Sequence, residues 1–167
     1  TFTYSLVSGA GDTDNDSFAI EGNLLISAAV FDFETQSSYS IRVRTTDRTG
    51  LSFERSFVIT VLDVNEAPTN FLLSSASIPE NQPVGSLIGV LSTVDPDTLD
   101  TFTYSLPTGE ADNALFDISG NQLVTNGVFD FESKAAYQVL VEVTDSGGLT
   151  FTKAFEITVI DLDEQAP

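Results

Sequence analysis

The chain of 167 residues has no cysteine, no histidine, no methionine and no tryptophan. Without cysteine there is no disulfide and no thiolate nucleophile. Without cysteine and histidine together there is no zinc site of the usual kind. The commonest general base of enzymes disappears with the histidines. Basic residues are scarce too: 6 Lys and Arg stand against 25 Asp and Glu, a net charge of −19. Nucleic-acid binding needs a positive footprint, so no nucleic acid is expected as a partner, and contact with anionic membrane surfaces is disfavoured. No apolar run approaches the roughly 20 residues of a membrane-spanning helix, and no signal peptide is evident. The sequence reads as a soluble excerpt of something larger. A domain outside the cell that lacks disulfides needs another staple, and a hard cation is one candidate.

The apolar fraction, 41%, is enough for a core, so the charge does not imply disorder. It implies either a solvated acidic surface or sites for a cation, and the distribution of the acids has to decide. "TFTYSL" occurs at residues 1–6 and 101–106, and "VFDFE" at 30–34 and 128–132. From there the copies run in step at an offset of 98 residues, pairing Asp32 with Asp130, Asp47 with Asp145 and Asp63 with Asp161. The offset at "TFTYSL" is 100, which places two extra residues in the first copy near 11–16. A period this long suits an array of whole domains rather than a solenoid. The domains expected are 1–66 and 67–167, the first lacking the opening strands that residues 71–100 supply to the second.

Strand signals in the second copy are short and evenly spaced: 70–75, 77–80, 85–93, 101–106, 116–120, 122–126, 136–145 and 150–161. Tyr137, Val139, Val141 and Val143 alternate with other residues, as do Phe155, Ile157 and Val159. Period-two alternation sets one face in a core and one in water. No segment shows sustained helical periodicity. Seven or so strands in about 100 residues predict an all-β, Ig-like Greek-key sandwich. In the first copy Phe31, Tyr39, Ile41 and Phe57 are expected to lose neighbours. An open sheet edge there invites completion by a second chain through strand exchange, or partial disorder.

The carboxylates gather at strand ends. Each copy has an "FDFE" step, an Asp after a long strand (Asp47, Asp145), and an acidic close, "DVNE" at 63–66 or "DLDE" at 161–164. The second copy adds "PEN" at 79–81 and "DPDTLD" at 95–100. Spacing of i and i+2 along an extended chain sets two side chains on one side, so Asp130 and Glu132 could grip one ion. Ca²⁺ takes six to eight oxygens from carboxylates, carbonyls and water, and these segments supply the first two.

"IPEN" (78–81), "DPD" (95–97), "FDFE" (129–132), "VTDSGG" (143–148) and "DVNEAP" (63–68) resemble, in order, the PE, DxD, LDRE-like, xDxG and DxNDNxP motifs of cadherin repeats. The resemblance covers all of the second copy and the surviving part of the first. It implies calcium between successive repeats. At the joint it assigns Asp32 and Glu34 from repeat one, Asp63, Asn65 and Glu66 from the linker, and Asp95, Asp97, Asp100 and Asp145 from repeat two. At the far end Glu80, Asp130, Glu132, Asp161, Asp163 and Glu164 form half of a further joint, expected to be weak or empty. The linker is one residue short of the family pattern, and Glu66 stands where Asp is usual. The implied function is a calcium-rigidified adhesion or stalk module at the cell surface. Its partners would be calcium, neighbouring repeats, a second copy by strand exchange, and a glycan or protein ligand.

Weaker signals point elsewhere. "DTDND" (12–16) spaces Asp12, Asp14 and Asp16 like the start of an EF-hand loop, but Ser17 replaces the glycine and Asn23 the closing glutamate, so it reads as a loop. Asn15-Asp16-Ser17 fits an N-glycosylation sequon. Asp130 and Glu132 do not flank a substrate as glycosidase carboxylates do, and the chain is not read as an enzyme. A carbohydrate-binding module remains the alternative, although it would need exposed stacking aromatics and there is no tryptophan. A metal-free acidic spacer is a third reading.

Overall fold

Alternating apolar residues make strands throughout. The computed structural model describes residues 1–163 and divides into two units, Thr1–Val64 and a second that begins at Asn65. In the first unit, β1 (Phe2–Leu6), β4 (Ser38–Asp47) and β5 (Ser52–Thr60) form an antiparallel sheet in the order β1-β4-β5, while β2 (Phe18–Glu21) and β3 (Leu24–Ser27) form a separate hairpin. Only Gly22 and Asn23 join β2 to β3. Gly22 has φ +65°, as the first central position of a type II′ turn requires, and Gly120, φ +64°, repeats this in the second unit.

The second unit contains β6 (Asn70–Leu73), β7 (Ser77–Pro79), β8 (Leu87–Val94), β9 (Thr103–Ser105), β10 (Phe116–Ser119), β11 (Gln122–Thr125), β12 (Ala136–Thr144) and β13 (Thr150–Ile160). They build two four-stranded sheets, β10-β11-β8-β6 and β7-β13-β12-β9. All pairings are antiparallel except that of β7 with β13. The fold is the expected all-β sandwich. Tyr137, Val139, Val141 and Val143 of β12 point into its core beside Ile157 and Val159 of β13, and Phe71, Leu91 and Leu123 come from the opposite sheet.

The repeat is visible in three dimensions. Phe18, Phe31 and Tyr39 stack with ring centroids 4.7–6.0 Å apart. Phe116, Phe129 and Tyr137, each 98 residues later, do the same at 4.6–6.4 Å. Such clusters add to area burial through edge-to-face contact. Strands β6, β7 and β8 have no counterpart in the first unit, and its apolar positions divide accordingly. Tyr39 and Ile41 stay buried in one cluster with Phe18, against which Leu6, Phe31, Val43, Ile59 and Val61 pack, contrary to the expected loss of neighbours. Phe57 does lose them and is 42% exposed, and Leu25 is 41% exposed where its equivalent Leu123 is fully buried.

The 12–16 loop is a structural staple. Asp14 accepts from the Ser40 N–H (2.6 Å) and the Gln36 amide (3.0 Å), while Asn15 accepts from the Arg42 N–H (2.9 Å) and donates to the Val7 carbonyl (3.0 Å). Asp112 and Asn113 make the equivalent bonds to Gln138, Lys134, Leu140 and Pro107. With its amide engaged in this way, Asn15 is not displayed as a glycan acceptor.

Candidate metal centre

Three segments of the second unit meet at one end of its sandwich. Asn65 and Glu66 precede β6, Asp95, Asp97 and Asp100 lie in the loop from β8 to β9, and Asp145 follows the last residue of β12. One carboxylate oxygen from each of Asp95, Asp100 and Asp145 lies within 4.8 Å of the other two. Local bonds fix each group in place. Asp95 Oδ1 accepts from the Asp97 N–H (2.9 Å), Asp100 Oδ1 from the Ser146 hydroxyl (2.7 Å), and Asp145 Oδ1 from the Leu149 N–H (2.8 Å). The linker is held by the same set: Asn65 Nδ2 donates to Asp145 Oδ2 (3.0 Å) and the Glu66 N–H to Asp97 Oδ2 (2.8 Å).

The second oxygens of Asp95 and Asp100 are buried and have no hydrogen-bond partner. A buried charged oxygen without a partner is costly. Burial raises the Asp95 carboxyl above its ordinary range. The Asp97 N–H opposes this, but the charges of Asp97, Asp100 and Asp145 reinforce it. Asp145 goes the other way: burial acts to raise it, and hydrogen bonds from Asn65, Leu149, Gly148 and Gly147 outweigh that and hold it low. The ion pairs among the described residues serve Glu54 and Asp112, and none reaches this cluster. The donors are hard oxygens of high negative charge, two of them aimed into a buried space without a partner. This set fits Ca²⁺ and suits neither zinc nor a soft metal.

At the opposite motif set, Glu80, Asp130 and Glu132 also bring oxygens within 4.8 Å of one another. Glu80 is fully buried, and its two oxygens accept from the Phe131 N–H (3.0 Å) and the Leu162 N–H (2.8 Å). The "FDFE" step is not extended, which corrects the reason given for Asp130 and Glu132 sharing a side. The Lys134 N–H bonds the Asp130 carbonyl (3.0 Å), and the Asp130 carboxylate caps the turn through the Ser133 N–H and hydroxyl. Asp32 caps the equivalent turn in the first unit through the Thr35 N–H (2.9 Å), which holds its carboxyl below the usual range. For Glu132 its own backbone N–H lowers the carboxyl, while burial and the charges of Glu80 and Asp161 raise it and prevail. Glu34 and Asp63 are exposed in the first unit, and Asp161 and Asp163 are exposed after β13. Glu164 lies outside the described residues.

Sequence reasoning missed the role of Asp97 as acceptor for the linker backbone, and of Ser146, which orients Asp100. Neither has a signature in a single chain, because each contact joins residues more than 30 positions apart.

Repeated Greek-key sandwiches with carboxylates gathered at the strand ends define a class of tandem extracellular β-sandwich modules. The Cadherin domain family model matches residues 74–160. Human Cadherin-related family member 2 is 32% identical over 149 residues, 84% of this chain and 11% of its own length. Human Cadherin-12 is 31% identical over 156 residues, 80% of this chain and 20% of its own length. Among solved structures, the human Protocadherin-24 EC1-2 (Form II) superposes with a TM-score of 0.71 at 25% identity, covering 96% of this chain and 82% of that one. The Protocadherin gammaB7 EC3-6 cis-dimer gives 0.68 at 26% identity, covering 99% and 41%. The chain belongs to the cadherin family, whose domains are extracellular adhesion modules of cell-surface proteins. It spans a fifth or less of the length of the two relatives named.

Proposed function

We propose that the chain is a calcium-dependent segment of a cell-adhesion or stalk protein, in which Ca²⁺ binds the acidic end of the second unit and stiffens the array. The observation that carries this reading is the pair of buried, partnerless oxygens on Asp95 and Asp100 beside Asp145. Asp95, Asp97, Asp100, Asp145 and the linker groups Asn65 and Glu66 would hold the ion. When bound, it supplies the positive charge that lets these carboxylates share one space.

The protein's own residues do the rest. The Asp97 N–H and the Ser146 hydroxyl each hold one oxygen of Asp95 and Asp100, which leaves the other to face the cation, while Leu149 and Asn65 hold the two oxygens of Asp145. In the family pattern Asp32, Glu34 and Asp63 would complete the shell from the first repeat. Glu80, Asp130, Glu132, Asp161 and Asp163 would meet a following repeat. Binding two repeats to shared ions would convert a repelling joint into a stiff one. Assembly with a second copy belongs to the same reading and is supported by the cis-dimer described for protocadherin gammaB7.

Isothermal titration of the chain with CaCl₂ tests the assignment. Affinity on the order of 10⁻⁴–10⁻³ M is expected, as in other extracellular modules, and Asp100→Asn should weaken it at least tenfold. Equal heats for the parent and Asp100→Asn would overturn it.

A further inference from the structure

We propose that Gly147 is a positioning residue: its missing side chain makes the hollow into which the linker residue Asn65 must fit to reach Asp145. The inference rests on the calcium reading of the same site and adds a residue that ligates nothing. A Cβ built on Gly147 would overlap Oδ1, Cγ and Nδ2 of Asn65, all three at once, so the whole amide group lies against the Gly147 Cα. In that seat the Asn65 amide donates to Asp145 Oδ2 at 3.0 Å and to the Glu66 carbonyl at 3.2 Å.

The glycine is not there for its backbone. Its φ lies outside the left-handed region, so alanine could adopt the same conformation without strain. The neighbouring Gly148 is the reverse case: φ is +91° and the space around its Cβ position is open. One glycine of the pair makes the turn and the other makes room. Any side chain at 147 would displace the amide from Asp145. That would remove the first bond opposing the burial of this carboxylate and move a linker oxygen away from the cluster. An Asn65 that cannot settle over residue 147 cannot present its amide from this position, neither the Nδ2 group to Asp145 nor the carbonyl oxygen to a cation.

The test compares Gly147→Ala, Gly148→Ala, Asn65→Ala and the double variant Asn65→Ala/Gly147→Ala in the full chain. One readout is the Asn65 side-chain amide resonances in EDTA, and the other is calcium affinity by titration with CaCl₂. Gly147→Ala is expected to shift the Asn65 amide signals in EDTA and to weaken calcium binding on the order of tenfold, the usual effect of losing an outer support of a metal site. Gly148→Ala should lower the melting temperature through backbone strain and leave the Asn65 signals in place. The double variant should bind calcium no more weakly than Asn65→Ala alone, because the side chain that clashes has gone. Unchanged Asn65 signals in Gly147→Ala, or additive losses in the double variant, would overturn the assignment. If Gly147→Ala fails to fold, the double variant is expected to fold, and its failure as well would overturn it. Should the Asn65 signals shift as expected while even the parent chain binds no calcium, the positioning role stands and the calcium reading falls.

Discussion

Asp95 carries the clearest electrostatic conflict in the molecule: a carboxylate raised by burial and by three acidic neighbours, with one oxygen unpartnered. A group whose folded pKa exceeds its unfolded value favours the folded state at low pH, and this advantage is lost as pH rises through the folded pKa. At pH 7 without metal, ionised Asp95 therefore destabilises the fold. Asp95→Asn should raise the Tm in EDTA at pH 7, give no gain below about pH 3.9, where the carboxyl is protonated in both states, and lower the Tm in saturating calcium. Melting curves at the two pH values, with and without calcium, check the sign. Glu80 is the opposite case, a buried carboxylate with both oxygens engaged by backbone N–H groups. Removing it strands two donors at about 1–3 kcal/mol each. Glu80→Ala should cost about 2–6 kcal/mol in urea denaturation, and Glu80→Gln, which keeps one acceptor, less. The acids themselves were legible as a motif series. Which oxygens are spent on the protein and which are left over was not, because that depends on partners such as Ser146 and Leu162, 46 and 82 residues away.

Strands of the second unit follow the alternation pattern closely because each buries one face. The exceptions are instructive. The "FDFE" step carries apolar residues at alternate positions, yet it closes a turn in both units, since Asp32 and Asp130 cap the N–H groups that follow. Capping chemistry prevails there over period two. The acidic 12–16 segment, read as a loop despite its EF-hand-like spacing, is held in place as Asp14 and Asn15 bond the backbone of β4. Asp112 and Asn113, at the same 98-residue offset, do the same on β12. Equivalent residues in the two units should differ in cost. Ile157 on β13 is fully buried, and Ile157→Ala should cost about 2–5 kcal/mol. Ile59, at the same place on β5, is only partly buried, and Ile59→Ala should cost less than half as much. Chemical denaturation of the two variants, followed by a probe specific to each unit, makes the comparison.

At the scale of the molecule, the 98-residue offset was enough to read a tandem sandwich, because a repeat of that length must contain its own core. The uneven finish of the two cores followed from the alignment of the copies only in outline. Burial of Tyr39 depends on how Phe18 and Phe31 stack on it, and that of Ile41 on the cluster they share, which no spacing rule gives. With Leu24, Leu25, Phe53, Phe57 and Val58 exposed in the first unit, its amides should exchange with solvent faster and lose protection at lower denaturant than those of the second. Native-state hydrogen exchange resolves this by residue. Calcium should act unequally as well, protecting the second unit, where the partnerless oxygens lie.

The account stands most directly on a thermal melt of the chain across a calcium titration, reversed with EDTA. At 10 mM calcium and a dissociation constant on the order of 10⁻⁴–10⁻³ M, one site stabilises the fold by about 1.4–2.7 kcal/mol. For a domain near 100 residues this is a rise of at least several degrees in Tm. The account predicts that rise, its loss on chelation, and a smaller rise in Asp95→Asn and Asp100→Asn. A Tm that ignores both calcium and EDTA would contradict it.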